Sequence, residues 1–310
     1  MSPEGKRLCI RAPAKINLFL HVTGRREDGY HLLDSIFLYT GLHDRLTVAP
    51  ASDLALDVGG AFADGLAAEP PSRNLILRAA QALRDATGTR EGAHMRLEKA
   101  IPLAAGLGGG SADAAAALRL LARLWGVPSD KGGREELLSR LALALGADIP
   151  PCIDSRPARI GGIGERVVPL DEPMPAWGLL LVNPGIPMPT PSVFAALRKA
   201  DPPFTEPLPA RIPWQDTAWL AARTRNDLEP FAIRLAPALG RLLDRIGALE
   251  GCLLARMSGS GATCFALFET VAAAERAART CRAEMPHCWS WAGGFHVPDE
   301  VPSLLRLEMD

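Results

Sequence analysis

The 310-residue chain has no excess of charge of either sign. Its 34 lysines and arginines stand against 35 aspartates and glutamates, a net −1. A near-neutral chain without a basic run lacks the electrostatic footprint of a nucleic-acid binder and the polybasic cluster of a membrane-surface protein. Long hydrophobic runs are missing too: nothing approaches the ~18 apolar residues that span a bilayer, and Trp177–Val182 has the length of a strand. Arg7 and Arg11 flank only Leu8-Cys9-Ile10, too short for the apolar core of a secretory leader. Cysteine is sparse: the six residues form no C-x-x-C pair and no zinc-like spacing with histidine, so free thiols in a reducing cytoplasm are expected. Internal repeats and low-complexity tracts are absent. What remains is 48% apolar and 22% charged, the composition of a folded globular protein, with length for about two domains.

Strands and helices interleave in the first half. Ile16–Val22, His31–Tyr39, Arg45–Val48 and Met95–Glu98 have strand composition or alternation. Asn74 precedes an apolar stripe through Leu75, Ile76, Ala79, Ala80 and Leu83, and Gly88 follows, which is a cap, a helix face and a stop. Ser111–Trp125 and Glu135–Leu145 read as two further helices, the latter closed by a left-handed Gly146. Prolines from Pro202 to Pro213 mark a long surface connection. Beyond it come a helix at Pro237–Ile246, strands at Leu253–Met257 and Thr263–Phe268, and a helix at Val271–Ala283. Mixed elements without a regular βαβ rhythm point to an α+β protein in two lobes, residues 1–160 and 161–310, divided where Gly and Pro cluster at Pro157–Gly164.

The strongest local signal is Ile101-Pro102-Leu103-Ala104-Ala105-Gly106-Leu107-Gly108-Gly109-Gly110-Ser111, which runs into an alanine-rich helix. Glycines permit positive φ and close backbone approach, and the helix start offers unpaired N–H groups with partial positive charge. Together they make an anion site suited to phosphate. No G-K-[ST] ending follows, and Gly106-x-Gly108-x-x-Ser111 lacks the third glycine of the dinucleotide fingerprint, so neither well-known phosphate loop is present. The plain alternative is a glycine-rich turn capped by Ser111. Alanines 114–117 suit close packing on a sheet, with Leu118, Leu121 and Trp125 as the buried stripe.

Two further segments carry charge in apolar surroundings. In Lys15-Ile16-Asn17-Leu18-Phe19-Leu20-His21-Val22, alternation puts Ile16, Leu18, Leu20 and Val22 on one face and Lys15, Asn17, Phe19 and His21 on the other. Lys15 and Asn17 are then same-face neighbours, on an active face or on a solvated edge. Asp148 stands in Gly146-Ala147-Asp148-Ile149-Pro150-Pro151, where the prolines stiffen a short turn. Such an aspartate either does chemistry or makes a local backbone hydrogen bond.

Taken together, Pro13–Leu18, Asp28–His31, Ile101–Pro102 with Gly106–Ser111, Gly146–Pro150, Pro189–Pro191 with Phe194, Asn226–Glu229 and Met257–Ala262 resemble the GHMP kinase superfamily along essentially the whole chain. The resemblance implies an N-terminal lobe like a ribosomal-protein domain and a ferredoxin-like C-terminal lobe. It implies ATP-dependent phosphorylation of a small alcohol, the 2-hydroxyl of a methylerythritol unit carrying a cytidine diphosphate group, in the non-mevalonate route to isoprenoid precursors. By the matching motifs, Asp148 would accept the hydroxyl proton. Lys15 would neutralise charge at the transferring phosphoryl group and keep Asp148 ionised, and Asn17 would position the acceptor. Pro102, Leu103, Ala104, Ala105, Gly106, Leu107, Gly108, Gly109, Gly110 and Ser111 would wrap the ATP phosphates. Tyr30 and Phe194 would sandwich the cytosine, with His31 reading its edge and Thr190 and Pro191 beside it. Ser258, Gly259, Ser260, Gly261 and Thr263 would close over the site. Mg²⁺ is expected with ATP, its ligands unassigned apart from Ser111 as a candidate. The expected assembly is a monomer or homodimer, with no nucleic acid and no membrane. Ala104-Ala105, Ala112 and Pro151-Cys152 depart from the family pattern and leave every expected catalytic side chain in place. A homoserine- or mevalonate-type kinase, or an RNA-binding module, are the other readings; Tyr30, His31 and Phe194 disfavour the first and the −1 charge the second.

Overall fold

A computed structural model describes residues 7–67, 70–127 and 130–296. The outer ends of both expected lobes, 1–6 and 297–310, lie outside the described residues. The first sheet is organised by β2 (His31–Ala51), a 21-residue strand. β1 (Leu8–Arg25) runs antiparallel along one edge of β2. The other edge pairs with β4 (Gly92–Glu98) through Arg45–Ala51 and with β5 (Ala158–Gly162) through Leu33–Phe37. β3 (Leu54–Gly59) lies parallel to β4, and β6 (Arg166–Pro169) closes the far edge on β5. The expected strands His31–Tyr39 and Arg45–Val48 are thus one strand. Residue 160, the expected division, falls inside β5, and the glycines at 161, 162 and 164 belong to a hairpin of the first sheet rather than to a linker.

Helices cover one face of that sheet. After the short α1 (Ala63–Ala67) comes α2 (Leu75–Thr87), capped by Asn74 and stopped by a left-handed Gly88, as its pattern predicts. α3 (Gly109–Trp125) packs on β1 and β2 through an almost wholly buried face that includes Ala114–Ala117, Leu118 and Leu121. Gly108, not Ser111, holds its cap position. α4 (Lys131–Leu145) ends at Gly146, whose φ of 169° is extended rather than left-handed. α5 (Ile149–Asp154) follows at once, a helix where the prolines suggest a plain turn; prolines are tolerated in a helix's first turn because the N–H they lack has no partner there.

The second half builds an antiparallel sheet in the order β10-β7-β9-β8, from β7 (Gly178–Asn183), β8 (Leu254–Met257), β9 (Cys264–Phe268) and β10 (Trp289–Gly293). α6 (Thr190–Ala200), α7 (Thr217–Arg223), α8 (Glu229–Leu235), α9 (Ala238–Gly247) and α10 (Val271–Glu284) complete it. With the crossover helices and that strand order, this is the ferredoxin-like arrangement.

Period-two alternation explains how the two sheets join. In β7, Leu179 and Leu181 face one way and Leu180 and Val182 the other. The first pair meets Ile16, Leu18, Ile36 and Leu38 of the first sheet, together with Phe265, Leu267 and Trp214. The second pair packs under helices with Val193, Leu239 and Ala278. Phe37 and Tyr39, alternating with Ile36 and Leu38, face the helix layer of the first sheet. Three layers of apolar contact run through the molecule, and the middle one holds the lobes together.

Candidate active site

The glycine loop lies between the lobes because glycine alone fits there. Gly106 has φ +75°, and a Cβ on it would stand 2.5 Å from the Ser258 carbonyl oxygen and 2.8 Å from that of Gly261. Gly108 has φ +66°, and its Cβ would stand 2.8 Å from Lys15 Cγ. Main-chain bonds fix the loop from both sides: Lys15 N–H donates to the Leu107 carbonyl (2.8 Å) and Thr263 N–H to that of Ala105 (3.2 Å). The loop so held carries the N-terminus of the 17-residue α3 at the edge of a cleft of about 490 Å³.

Lys15 and Asn17 enter this cleft from β1, and a bulge decides what accompanies them. Asn17 pairs with Phe37 but Leu20 with Ser35, one extra residue in β1. Past that point the alternation flips. Leu20 therefore lines the cleft with Lys15 and Asn17, while Phe19, expected on their face, lies in the core between the sheets with Ile16 and Leu18. The face is not a solvated edge: Lys15 is 4% exposed. Its ammonium donates to Asn17 Oδ1 (2.6 Å), stands 4.3 Å from the Phe37 ring centre and 3.7 Å from Asp148 Oδ2. Asn17 is held in turn, donating from Nδ2 to Ser35 Oγ (2.9 Å).

Asp148 precedes the first turn of α5, and its side chain is 48% exposed. Beneath it the Cys152 thiol donates to the Asp148 carbonyl (3.2 Å), and the Tyr39 hydroxyl donates to the sulfur (3.9 Å). Burial pushes the Cys152 thiol up to about 12, so it stays protonated and inert. Pro151-Cys152 thus puts a small buried group under Asp148, with no second nucleophile added.

The second lobe supplies the opposite wall. Ser258 Oγ accepts from Asn17 N–H (3.3 Å) and donates to the Gly106 carbonyl (3.0 Å), stitching β1, the glycine loop and the 258–263 loop together. Thr263 Oγ1 accepts from Asn183 Nδ2 (2.9 Å). Gly259 and Ser260 line the cleft, and Ser260 is hydrogen-bonded to Thr190 (2.8 Å). Ser258, Gly261 and Thr263 lie behind this wall as supports. Of the remaining expected residues, all ten from Pro102 to Ser111 line the cleft with Thr190 and Phe194, whereas Tyr30, His31 and Pro191 do not. Tyr30 is 60% exposed, and His31 stacks on Phe194 with ring centres 5.1 Å apart. Burial and the Arg198 and Arg25 charges lower the His31 pKa, which keeps that imidazole neutral.

Sequence reasoning gave several residues here no place in the site. Asn226 donates to the Met257 and Gly259 carbonyls (2.8 Å each) and shapes the second-lobe loop. Asn74, the α2 cap, lines the cleft, as do Lys99 and Asp113, which form a buried charge cluster with Asp44. The only sequence signal for the cluster is the scarcity of lysine, since arginine supplies most of the positive charge. The donors fit a magnesium ion carried in on phosphates: Ser111 and Asp148 line the cleft, and among the described residues no three His, Cys, Asp or Glu side chains gather as a metal cage.

Comparison with known proteins agrees with this architecture. Residues 74–156 match the family model of the GHMP kinases N-terminal domain, and 214–287 that of the GHMP kinases C-terminal domain. A 4-diphosphocytidyl-2-C-methyl-D-erythritol kinase from Gluconacetobacter diazotrophicus is 50% identical over 302 residues, covering 94% of this chain and 96% of the relative. One of the same name from Parvibaculum lavamentivorans is 50% identical over 291 residues, covering 91% and 97%. Among solved structures, a 4-(cytidine 5'-diphospho)-2C-methyl-D-erythritol kinase superposes with a TM-score of 0.74 at 38% identity, over 93% of this chain and 99% of that one. A homoserine kinase from Cytophaga hutchinsonii shares the fold, with a TM-score of 0.66 at 17% identity over 94% and 95% of the chains.

Proposed function

The chain belongs to the GHMP kinases, in the 4-diphosphocytidyl-2-C-methyl-D-erythritol kinase family, and from that premise we propose how its cleft transfers a phosphoryl group from ATP to the 2-hydroxyl of that substrate. The triphosphate lies along the loop from Pro102 to Ser111, where main-chain N–H groups and the start of α3 meet negative charge. Asp148 takes the proton of the attacking hydroxyl as a bond forms from that oxygen to the γ-phosphorus. The bond from phosphorus to the β,γ-bridging oxygen breaks, and ADP leaves. Lys15, kept compact and directional by Asn17, faces the charge that spreads over the transferring group. A magnesium ion bound with the phosphates would neutralise their charge, and Ser111 and Asp148 are the nearby oxygen donors that would hold it.

The observation that carries this reading is the 3.7 Å approach of a buried lysine and a solvent-accessible aspartate at the lip of a phosphate-type helix start. On the acceptor side, Phe194 offers an aromatic face inside the cleft. Cytosine bound between Tyr30 and Phe194 would replace the His31 ring on Phe194, leaving His31 to read the base edge. The setting for this reaction is the cytoplasm, where ATP is supplied.

An ATP-consumption assay over the cytidyl substrate, mevalonate, homoserine and galactose tests the assignment. Turnover is expected with the first alone; turnover of another at equal kcat/KM would overturn it. Asp148→Asn is expected to lower kcat by roughly 10²–10⁴-fold with both KM values nearly unchanged. A variant that turns over at the wild-type rate would remove Asp148 as the base. Tyr30→Ala is expected to raise KM for the cytidyl substrate far more than for ATP, and equal effects would discard the stacking role.

A further inference from the structure

His31 stacks on Phe194, which lines the cleft, and itself lines a second cavity of about 250 Å³. Neither Tyr30 nor Phe194 reaches that cavity, and no step above uses it. Its floor is apolar and buried, made by Val22 of β1, Leu197 of α6 and Phe231 of α8. Pro202-Pro203-Phe204 forms a wall, on which the Phe204 ring is left 50% exposed. Two consecutive prolines stiffen this wall, and the Thr205 N–H fixes its end on the Val22 carbonyl (2.9 Å).

Five charged side chains line the cavity, and hydrogen bonds sort them. Asp227 is satisfied by three donors: Val22 N–H (2.7 Å), Thr205 Oγ1 (2.6 Å) and Arg225 Nε (2.6 Å). Arg225 also donates from Nη2 to Thr205 Oγ1 (2.7 Å). That pair belongs to the scaffold. Arg25, at the end of β1, and Arg198, in the last turn of α6, are exposed and have no hydrogen bond or ion pair among the described residues. With burial, their charges lower the His31 pKa, so both guanidiniums stand close to the shared wall. Asp201, at the left-handed end of α6, is the remaining acid that lines the cavity. Two free guanidiniums against one carboxylate leave the rim positive.

An apolar floor favours hydrocarbon, and a guanidinium fork favours the oxygens of a carboxylate or phosphate. One carboxylate fills one fork; two forks on separate elements call for the larger oxygen set of a diphosphate. The volume lies below the roughly 300–1,000 Å³ of pockets for drug-sized ligands, so the tail must be short, on the order of five carbons. We propose that this cavity is a second binding site, for a diphosphate with a short branched hydrocarbon tail, the tail lying on Val22, Leu197 and Phe231 and the diphosphate held by Arg25 and Arg198. An occupant restrains the His31 ring, which the cytosine must displace from Phe194, so it opposes binding of the cytidyl substrate. This consequence, unlike the site itself, rests on the function proposed above.

Calorimetric titration of the wild-type protein with dimethylallyl diphosphate reads the site directly, with magnesium and saturating AMP-PNP present to fill the triphosphate loop. Sub-millimolar binding is expected, at least about tenfold tighter than that of inorganic pyrophosphate, because the tail adds buried apolar area. The same margin is expected over 3-methylbut-2-enoate, which has the tail but only a carboxylate. No binding, or equal binding of pyrophosphate, would overturn the site; equal binding of the carboxylate would overturn the diphosphate class. Arg198→Gln is expected to weaken the Kd by about tenfold, the size of a lost charged hydrogen bond. Asp201→Asn, which removes the carboxylate facing the diphosphate, is expected to tighten it by about threefold. Both positions are exposed, so neither change threatens the fold. An unchanged Kd in both variants would put the ligand elsewhere and overturn the proposal. As a second arm, dimethylallyl diphosphate is expected to raise KM for the cytidyl substrate severalfold at unchanged kcat in the wild type, and much less in Arg198→Gln. An unchanged KM with binding intact would overturn the link through His31. Absence of turnover without the added diphosphate would overturn the proposed function and leave the calorimetry to decide the site.

Discussion

Gly108 carries two constraints at once: a left-handed backbone and a Cβ position occupied by the Lys15 stem. The first alone is tolerable in this loop, because Ala104 sits nearby with φ 48°. The second is not, since the stem of Lys15 is buried and its ammonium is held by Asn17. Gly108→Ala should therefore displace the ammonium from Asp148 and from the place we propose for the transferring phosphoryl group. We expect kcat to fall by roughly 10²-fold, the size of effect that follows from misplacing a catalytic group by about 1 Å. The left-handed alanine should cost only about 1–2 kcal/mol of stability, read from a urea midpoint. A variant destabilised to that extent but with wild-type kcat would show that Lys15 does not depend on the glycine beneath it.

At the scale of elements, α2 shows what local chemistry contributes. Asn74 Oδ1 accepts the N–H groups of Ile76 (2.9 Å) and Leu77 (3.4 Å), and Gly88 ends the helix with φ 68°. Asn74→Ala should lower stability by about 1 kcal/mol, seen as a lower urea midpoint at unchanged m-value; an unchanged midpoint would mean that the bonds to the cap add nothing net. This helix was readable in the sequence because cap, stripe and stop are all local. So were the glycine loop, the alanine face of α3 and the Lys15–Asn17 pair. What the sequence hid is non-local. β2 reads as two strands because Gly41 interrupts its apolar pattern, yet β1 pairs with it on both sides of that residue. β5 looks like a linker because pairing with β2 and β6, not its glycine-rich composition, makes it a strand. The bulge after Asn17 moves Phe19 and Leu20 to faces that strict alternation forbids. Lys99 meets Asp44 across 55 positions, a separation that no spacing rule detects.

The molecule as a whole is held together by the apolar layer between its sheets and by polar contacts beside it, among them a clamp on the first sheet. Apolar contact fixes the distance between the lobes but not their register, because it is non-directional. Arg159 on β5 supplies direction. Its guanidinium grips Asp34 of β2 with two bonds (2.8 and 2.7 Å) and donates to the carbonyls of Leu208 (2.9 Å), Ala210 (2.9 Å) and Pro209. The proline-rich connection at 202–213, which belongs in sequence to the second lobe, is thereby fastened across the first sheet. Thr205 pins its other end, donating from its N–H to the Val22 carbonyl (2.9 Å) and from Oγ1 to Asp227 (2.6 Å). Proline suits this role because a chain without regular structure needs few internal donors and loses little entropy when held. Arg159→Met should cost about 3 kcal/mol, since Asp34 would remain as a mostly buried carboxylate with only the Leu208 N–H (3.3 Å) to satisfy it. Adding Asp34→Leu should recover part of that loss, because the double variant no longer buries an unpaired charge. Urea midpoints of the two single variants and the double variant give the coupling energy. Limited proteolysis provides an independent reading: Arg159→Met should be cut within 202–213 faster than the wild type at equal fraction folded. Strictly additive midpoints with unchanged cleavage would show that the strap is held by its prolines and Thr205 alone.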